Sequence, residues 1–101
     1  MKLIEINLQR IYELCRKYKV KTLAVFGSIL TNRFNADSDV DLLVRFNKDE
    51  IPLKDYADNF FSLQFDLEDL LGRKVDLVCE DALKNPYFRQ EVNSTKLPIY
   101  G

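Results

Sequence analysis

The chain has 101 residues, of which 47% are hydrophobic, 12% aromatic and 31% charged, a balance that predicts a single folded domain over residues 1–101 and excludes a disordered polypeptide or two separate cores. It has no histidine and two cysteines, which excludes Ser-His-Asp and Cys-His catalysis and leaves too few soft ligands for a zinc site. Its 15 basic and 16 acidic residues give a net charge of −1, without the basic excess of a nucleic-acid-binding surface, so no direct nucleic-acid contact is expected.

No segment approaches the roughly 20 apolar residues of a membrane helix, and none resembles a signal peptide. Together with the sparse cysteines this predicts no membrane association, a cytoplasmic location and free thiols. The charge is unevenly spread: residues 1–21 hold six Lys/Arg against two acids, and residues 49–81 hold ten acids against three bases. Such segregation suits a polar partner surface or a solvated helix face.

In chain order, Ile4, Leu8, Ile11, Cys15 and Tyr18 recur at helical spacing and predict a helix from Ile4 to Tyr18. Lys21 to Phe26 contains the apolar run Leu23-Ala24-Val25-Phe26 and reads as a strand buried on both faces, stopped by Gly27. After a polar stretch, Val40 to Phe46 reads as a second strand. Tyr56, Phe60, Leu63, Leu67 and Leu70 mark a long helix from Leu53 to Leu71, with Gly72 placed to end it. Lys74 to Cys79 is a third strand, Asn85-Pro86 starts a short helix running to Asn93, and Leu97 to Tyr100 adds a short strand. The order implies a small α/β domain whose sheet of three to four strands is covered by helices.

Three features carry chemistry. Gly27 and Ser28 follow a buried strand, where a glycine admits a ligand close to the backbone and free N–H groups suit phosphate oxygens; a plain strand-ending turn accounts for the pair equally well. Asp39 and Asp41 stand two residues apart at the start of a strand, so their carboxylates share a face and repel unless a cation lies between them. A polar turn explains Asp39 but leaves Asp41 unexplained. Asp76 interrupts the apolar run Val75-Asp76-Leu77-Val78, which requires a metal, a polar cleft or an ion pair to Lys74 or Arg73. Together the three suit an in-line displacement in which Mg²⁺, as one or two ions held by Asp39, Asp41 and Asp76, bridges carboxylates and triphosphate, a carboxylate takes the acceptor proton, and Gly27 and Ser28 bind the nucleotide.

These residues resemble a known family. Val25-Phe26-Gly27-Ser28, ten residues, then Asp39-Val40-Asp41-Leu42-Leu43-Val44 is similar to the Gly-Ser and Asp-x-Asp signature of the DNA polymerase beta nucleotidyltransferase superfamily, and Gly72 to Val78 to its third-carboxylate strand. The likeness spans Val20 to Tyr100 and is strongest to the minimal nucleotidyltransferases, the MNT or MntA-like group. It implies a polymerase-beta-like fold with a small mixed sheet, phosphate binding at Gly27 and Ser28, metal binding at Asp39 and Asp41, and a metal-binding or base role for Asp76. It further implies ATP as nucleotide donor, Mg²⁺ as cofactor, and a HEPN-domain toxin as partner, which the antitoxin adenylylates on a hydroxyl. The chain departs from the common Ala-Arg-Gly run after Gly-Ser, having Leu30-Thr31-Asn32, where Asn32 is able to adopt the left-handed turn that a glycine would; Arg33 is a candidate for the role of the absent arginine. A binding module that neutralises its partner by contact alone is the alternative. Tyr87, Phe88 and Arg89 are read as core and helix-surface residues before base-stacking ones.

Overall fold

The computed structural model describes residues 2–101. Four helices, α1 (Lys2–Ile6), α2 (Leu8–Lys17), α3 (Tyr56–Leu71) and α4 (Pro86–Thr95), surround strands β1 (Val20–Phe26), β2 (Val40–Phe46), β3 (Val75–Cys79) and β4 (Leu97–Tyr100). The strands form one mixed sheet in the order β3-β2-β1-β4. β1 runs antiparallel to both β2 and β4, and β2 is parallel to β3. The parallel pair needs a crossover, which α3 provides.

Strand alternation divides the side chains between two apolar layers. Leu23, Val25, Val40, Leu42, Val44, Phe46, Val75 and Leu77 join Ile11, Cys15, Leu63 and Leu67 of α2 and α3 in the main core. Ala24, Phe26 and Leu43 face the other way, under Val92 of α4. The two-sided burial expected of the first strand is therefore real, and the edge strand β3, with only Val75 and Leu77 buried, leaves Asp76 exposed.

The helix expected over Ile4 to Tyr18 is interrupted at Asn7. Its N–H bonds to Ile4 O at 3.2 Å, three residues back, while its side-chain Nδ2 donates to Leu3 O at 2.9 Å. An asparagine side chain able to take over a helical backbone bond explains the break. The apolar face survives it, with Ile4, Ile11 and Cys15 all buried. Leu53 also lies outside the long helix, in a 3₁₀ turn over Leu53–Asp55, and is 91% exposed.

The predicted stops and starts hold where a residue has a stereochemical reason. Gly72 ends α3 at φ 68°, its N–H bonded to Glu68 O at 2.8 Å. Asn85 Oδ1 accepts from the N–H groups of Tyr87 and Phe88 at 3.0 and 3.1 Å, with Pro86 opening α4. Among the described residues, no helix is long and apolar enough to cross a membrane.

Candidate active site

The sheet register brings the distant motifs to one place. Phe26, the last residue of β1, pairs with Asp41 of β2, and Asp41 pairs in turn with Asp76 of β3. Because β2 and β3 are parallel and in register, the two carboxylates project from the same face, the one that carries Leu43 and α4. Asp39 lies one residue before β2, exposed, at the end of the polar segment that returns from the Gly27-Ser28 turn.

That turn is a short 3₁₀ segment, Gly27–Leu30, fastened by the buried Ile29. Gly27 has φ 76°, and a Cβ built on it would collide with Asp41 Oδ2 and lie 3.1 Å from Asp41 Cγ. Only glycine permits both the left-handed backbone and this approach. The carboxyl of Asp41 is pushed above its ordinary value, first by burial, then by the charges of Asp76 and Asp39, while a hydrogen bond from the Ser28 backbone pulls the other way. The half-buried Asp41 is thus the focus of the candidate site, with two like charges and the Gly27-Ser28 turn around it.

The alternative of an ion pair for Asp76 does not occur: no base lies within 4 Å of it among the described residues. Arg73 is engaged elsewhere. Its Nη1 donates to Asn35 O at 2.9 Å and Ser38 O at 3.0 Å, and its guanidinium lies 4.7 Å from the Phe34 ring centroid. Asn32 does not use its capacity for a left-handed turn, since Lys19 is the only non-glycine with positive φ among the described residues. The turn is closed instead by Thr31, whose N–H and Oγ1 both donate to Ser28 O, at 2.9 and 2.8 Å. A second hydrogen bond to the same carbonyl removes the need for a glycine-like reversal at the next residue.

Several residues that support the site were not evident from the sequence. Thr31 Oγ1 accepts from Arg33 N at 3.2 Å, Asn35 Oδ1 from Asp37 N at 2.8 Å, and Ser38 Oγ from Asn35 N at 3.1 Å, so the chain between the two motifs is hydrogen-bonded along its length. Gln64 and Glu68, one turn apart on α3, satisfy the carbonyl and N–H of Val75 at 2.9 and 3.0 Å. They secure the open edge of β3 beside Asp76. The i, i+4 spacing of Gln64 and Glu68 was a visible signal, but its partner was not.

The donor set suits a hard divalent cation. Mg²⁺ takes one or two carboxylates and completes its octahedron with water and substrate phosphates, which fits the half-buried Asp41 and the exposed Asp39 and Asp76 beside the Gly27-Ser28 turn. Among the described residues no group of three or more Asp, Glu, Cys or His stands close enough to hold a metal ion by itself, so Asp39, Asp41 and Asp76 do not form a ready-made three-carboxylate cage. A larger cavity, of about 620 Å³ and lined by Ile51, Leu53, Tyr56 and Cys79, lies toward the opposite end of β3.

A mixed sheet with a Gly-Ser turn facing paired aspartates defines a nucleotidyltransferase, and the chain belongs to the nucleotidyltransferase domain family, whose model matches residues 10–97. Its relatives narrow this to the minimal, MntA-like branch of that family. The Methanocaldococcus jannaschii protein MJ0128, named as a protein adenylyltransferase, is 47% identical over 76 residues, 75% of this chain and 72% of its own. The protein adenylyltransferase MntA of Thermococcus cleftensis is 44% identical over 75 residues, 72% of this chain and 69% of its own. A solved structure described as a minimal nucleotidyltransferase superposes with a TM-score of 0.75 at 33% identity, covering 96% of this chain and 93% of that one. The same fold is found in a chain of a solved complex described as tri-AMPylated Shewanella oneidensis HEPN toxin with MNT antitoxin, with a TM-score of 0.65 at 22% identity and coverage of 96% of this chain and 71% of that one.

Proposed function

We propose that this nucleotidyltransferase is a Mg²⁺-dependent protein adenylyltransferase that moves AMP from ATP to a hydroxyl of a HEPN-domain toxin and thereby acts as its antitoxin. The observation that carries the reading is the register of Asp41 against Asp76 directly beside Gly27, which sets two carboxylates against a turn that fits phosphate. The names of the relatives supply the adenylyl group and the protein acceptor, and the HEPN complex of a protein with this fold supplies the partner class.

In the proposed reaction the acceptor oxygen forms a bond to the α-phosphorus of ATP as the bond to the bridging α–β oxygen breaks, and pyrophosphate leaves. Gly27 and Ser28 hold the triphosphate through backbone N–H groups and the Ser28 hydroxyl. Asp39 and Asp41 would hold Mg²⁺, which neutralises charge building on the attacking and leaving oxygens. Asp76 extends the same carboxylate face and receives the hydroxyl proton. The exposed position of Asp39 and Asp76 leaves the site open for a protein acceptor.

The test is transfer of label from α-³²P-ATP to the purified HEPN partner in the presence of Mg²⁺. Label should appear on the partner with the wild-type chain and disappear with Asp39→Ala or Asp41→Ala. Labelling that survives both substitutions would overturn the reading, and neutralisation of the toxin by the unlabelling double variant would favour contact alone.

A further inference from the structure

The segment from Thr31 to Asp39 contains no strand or α-helix, yet it delivers one of the proposed metal ligands. Its internal hydrogen bonds make it a folded unit. Asn35 Oδ1 accepts from Asp37 N, Ser38 N donates to Asn35 O at 3.1 Å, and Asn35 N donates to Ser38 Oγ. Hydrogen bonds within a loop fix its shape but not its position relative to the sheet. Only an attachment to another element can do that.

Arg73 makes the attachment. It stands between the end of α3 and the start of β3, three residues before Asp76, and reaches across to the loop that ends at Asp39. One guanidinium nitrogen donates to two carbonyls of the loop, and the planar group lies against Phe34, which itself packs on the main core. Next to it, Lys74 O accepts Val40 N at 3.0 Å, so the same short stretch also fastens the residue after Asp39.

We infer that Arg73 is a positioning residue for the cation site: it locks the Phe34–Ser38 loop onto the start of β3, and so holds Asp39 where it shares a cation with Asp41. The inference rests on the reading of Asp39 and Asp41 as metal ligands. Residues that orient ligands without touching the metal commonly contribute as much to metal affinity as a weak ligand does. A guanidinium is suited to this because Nη1 donates to both carbonyls while the planar group stacks on the Phe34 ring, and a lysine ammonium offers donors without a planar face to stack.

The sign of the effect separates positioning from simple electrostatics. Removing a positive charge from the neighbourhood of a cation site should leave cation binding unchanged or tighter, whereas releasing the loop should loosen it. The experiment measures Mn²⁺ binding to the full chain by electron paramagnetic resonance, without nucleotide, for wild type, Arg73→Gln and Arg73→Lys, together with amide exchange over residues 33–40.

The expected result is faster exchange at the Ser38 amide and Mn²⁺ binding weakened about 10- to 100-fold in Arg73→Gln, with Arg73→Lys failing to restore it despite its charge. Mn²⁺ affinity that is unchanged or higher in Arg73→Gln overturns the inference while leaving the metal site in place, as does full recovery in Arg73→Lys. Absence of Mn²⁺ binding by the wild-type chain would overturn the metal-ligand reading and this inference with it. Should Arg73→Gln fail to fold, Arg73→Lys and Phe34→Leu test the same attachment, one by removing the planar guanidinium and the other by removing the ring it lies against, and wild-type affinity in both overturns it.

Discussion

Oδ2 of Asp41 occupies the space that a side-chain carbon at Gly27 would take. Gly27 also sits at φ 76°, where an L-residue with a Cβ is strained by about 1–2 kcal/mol. Gly27→Ala should therefore both lower stability by several degrees in Tm and displace the Asp41 carboxylate, reducing adenylyl transfer about 100-fold or more. Steady-state transfer rates with a folded variant, checked by circular dichroism, decide it; activity within twofold of wild type would mean that the contact does not position Asp41.

Asp41 is held above its usual carboxylate range by burial and by the charges of Asp76 and Asp39. Folding raises this pKa, so the destabilisation is present at neutral pH and disappears as the pH falls through the folded value. Asp41→Asn should melt higher than wild type at pH 7 without divalent cation, lose the thermal stabilisation by Mg²⁺, and converge with wild type in acid. A lower Tm for the amide variant at pH 7 would show that Asp41 contributes to the fold rather than opposing it.

Tyr18 donates its hydroxyl to Asp66, and this bond, ahead of burial and the Asp66 charge, pushes the phenol up to about 12 from 10. A raised folded pKa gives stability that is complete below pH 10 and lost as the pH rises toward 12. Tyr18→Phe should cost about 1 kcal/mol in urea unfolding at pH 8, with the difference shrinking at pH 11.5. An equal difference at the two pH values would rule out the Asp66 bond as its source.

Lys19 links α2 to β1 at φ 61°, and its carbonyl accepts Asn47 N–H at 2.8 Å, which fixes the conformation. Relief of about 1–2 kcal/mol of left-handed strain exceeds the extra chain entropy of a glycine, about 0.4–1 kcal/mol. Lys19→Gly should raise Tm by about 3–6 °C with transfer activity unchanged. A fall in Tm would locate a role for the lysine side chain that the backbone does not account for.

Burial pushes the Cys15 thiol up to about 12, whereas Cys79 is half-buried with its Sγ 3.3 Å from the Tyr56 hydroxyl. Thiol alkylation of the native protein at pH 8, mapped by mass spectrometry, should label Cys79 and spare Cys15 until denaturant is added. Labelling of Cys15 at the rate of Cys79 would show that α2 opens readily.

Much of the fold was legible because periodicity and stereochemistry are local. The apolar spacing of α3, the glycine that ends it and the Asn85-Pro86 start of α4 are each decided within a few residues. The break at Asn7 was not legible: the same apolar spacing runs through it, and an asparagine can face solvent or replace a backbone bond with equal ease. Asn32 has the capacity for a left-handed turn and does not use it, the turn being closed onto Ser28 by Thr31.

The sequence alone determined which residues are candidates for the site: Asp41 and Asp76 interrupt apolar strand runs, whereas Gly27 and Asp39 are also explained by turns and join the candidates only through their spacing to the other two. It could not determine how they meet. The register of β3 against β2, the collision distance between Gly27 and Asp41, and the reach of Arg73 to Asn35 and Ser38 join residues that are 14 to 38 positions apart. Such contacts follow from the closing of the sheet and the packing of α3 across it, which no window of sequence contains, so only the tertiary structure decided that Gly27 and Asp76 flank Asp41.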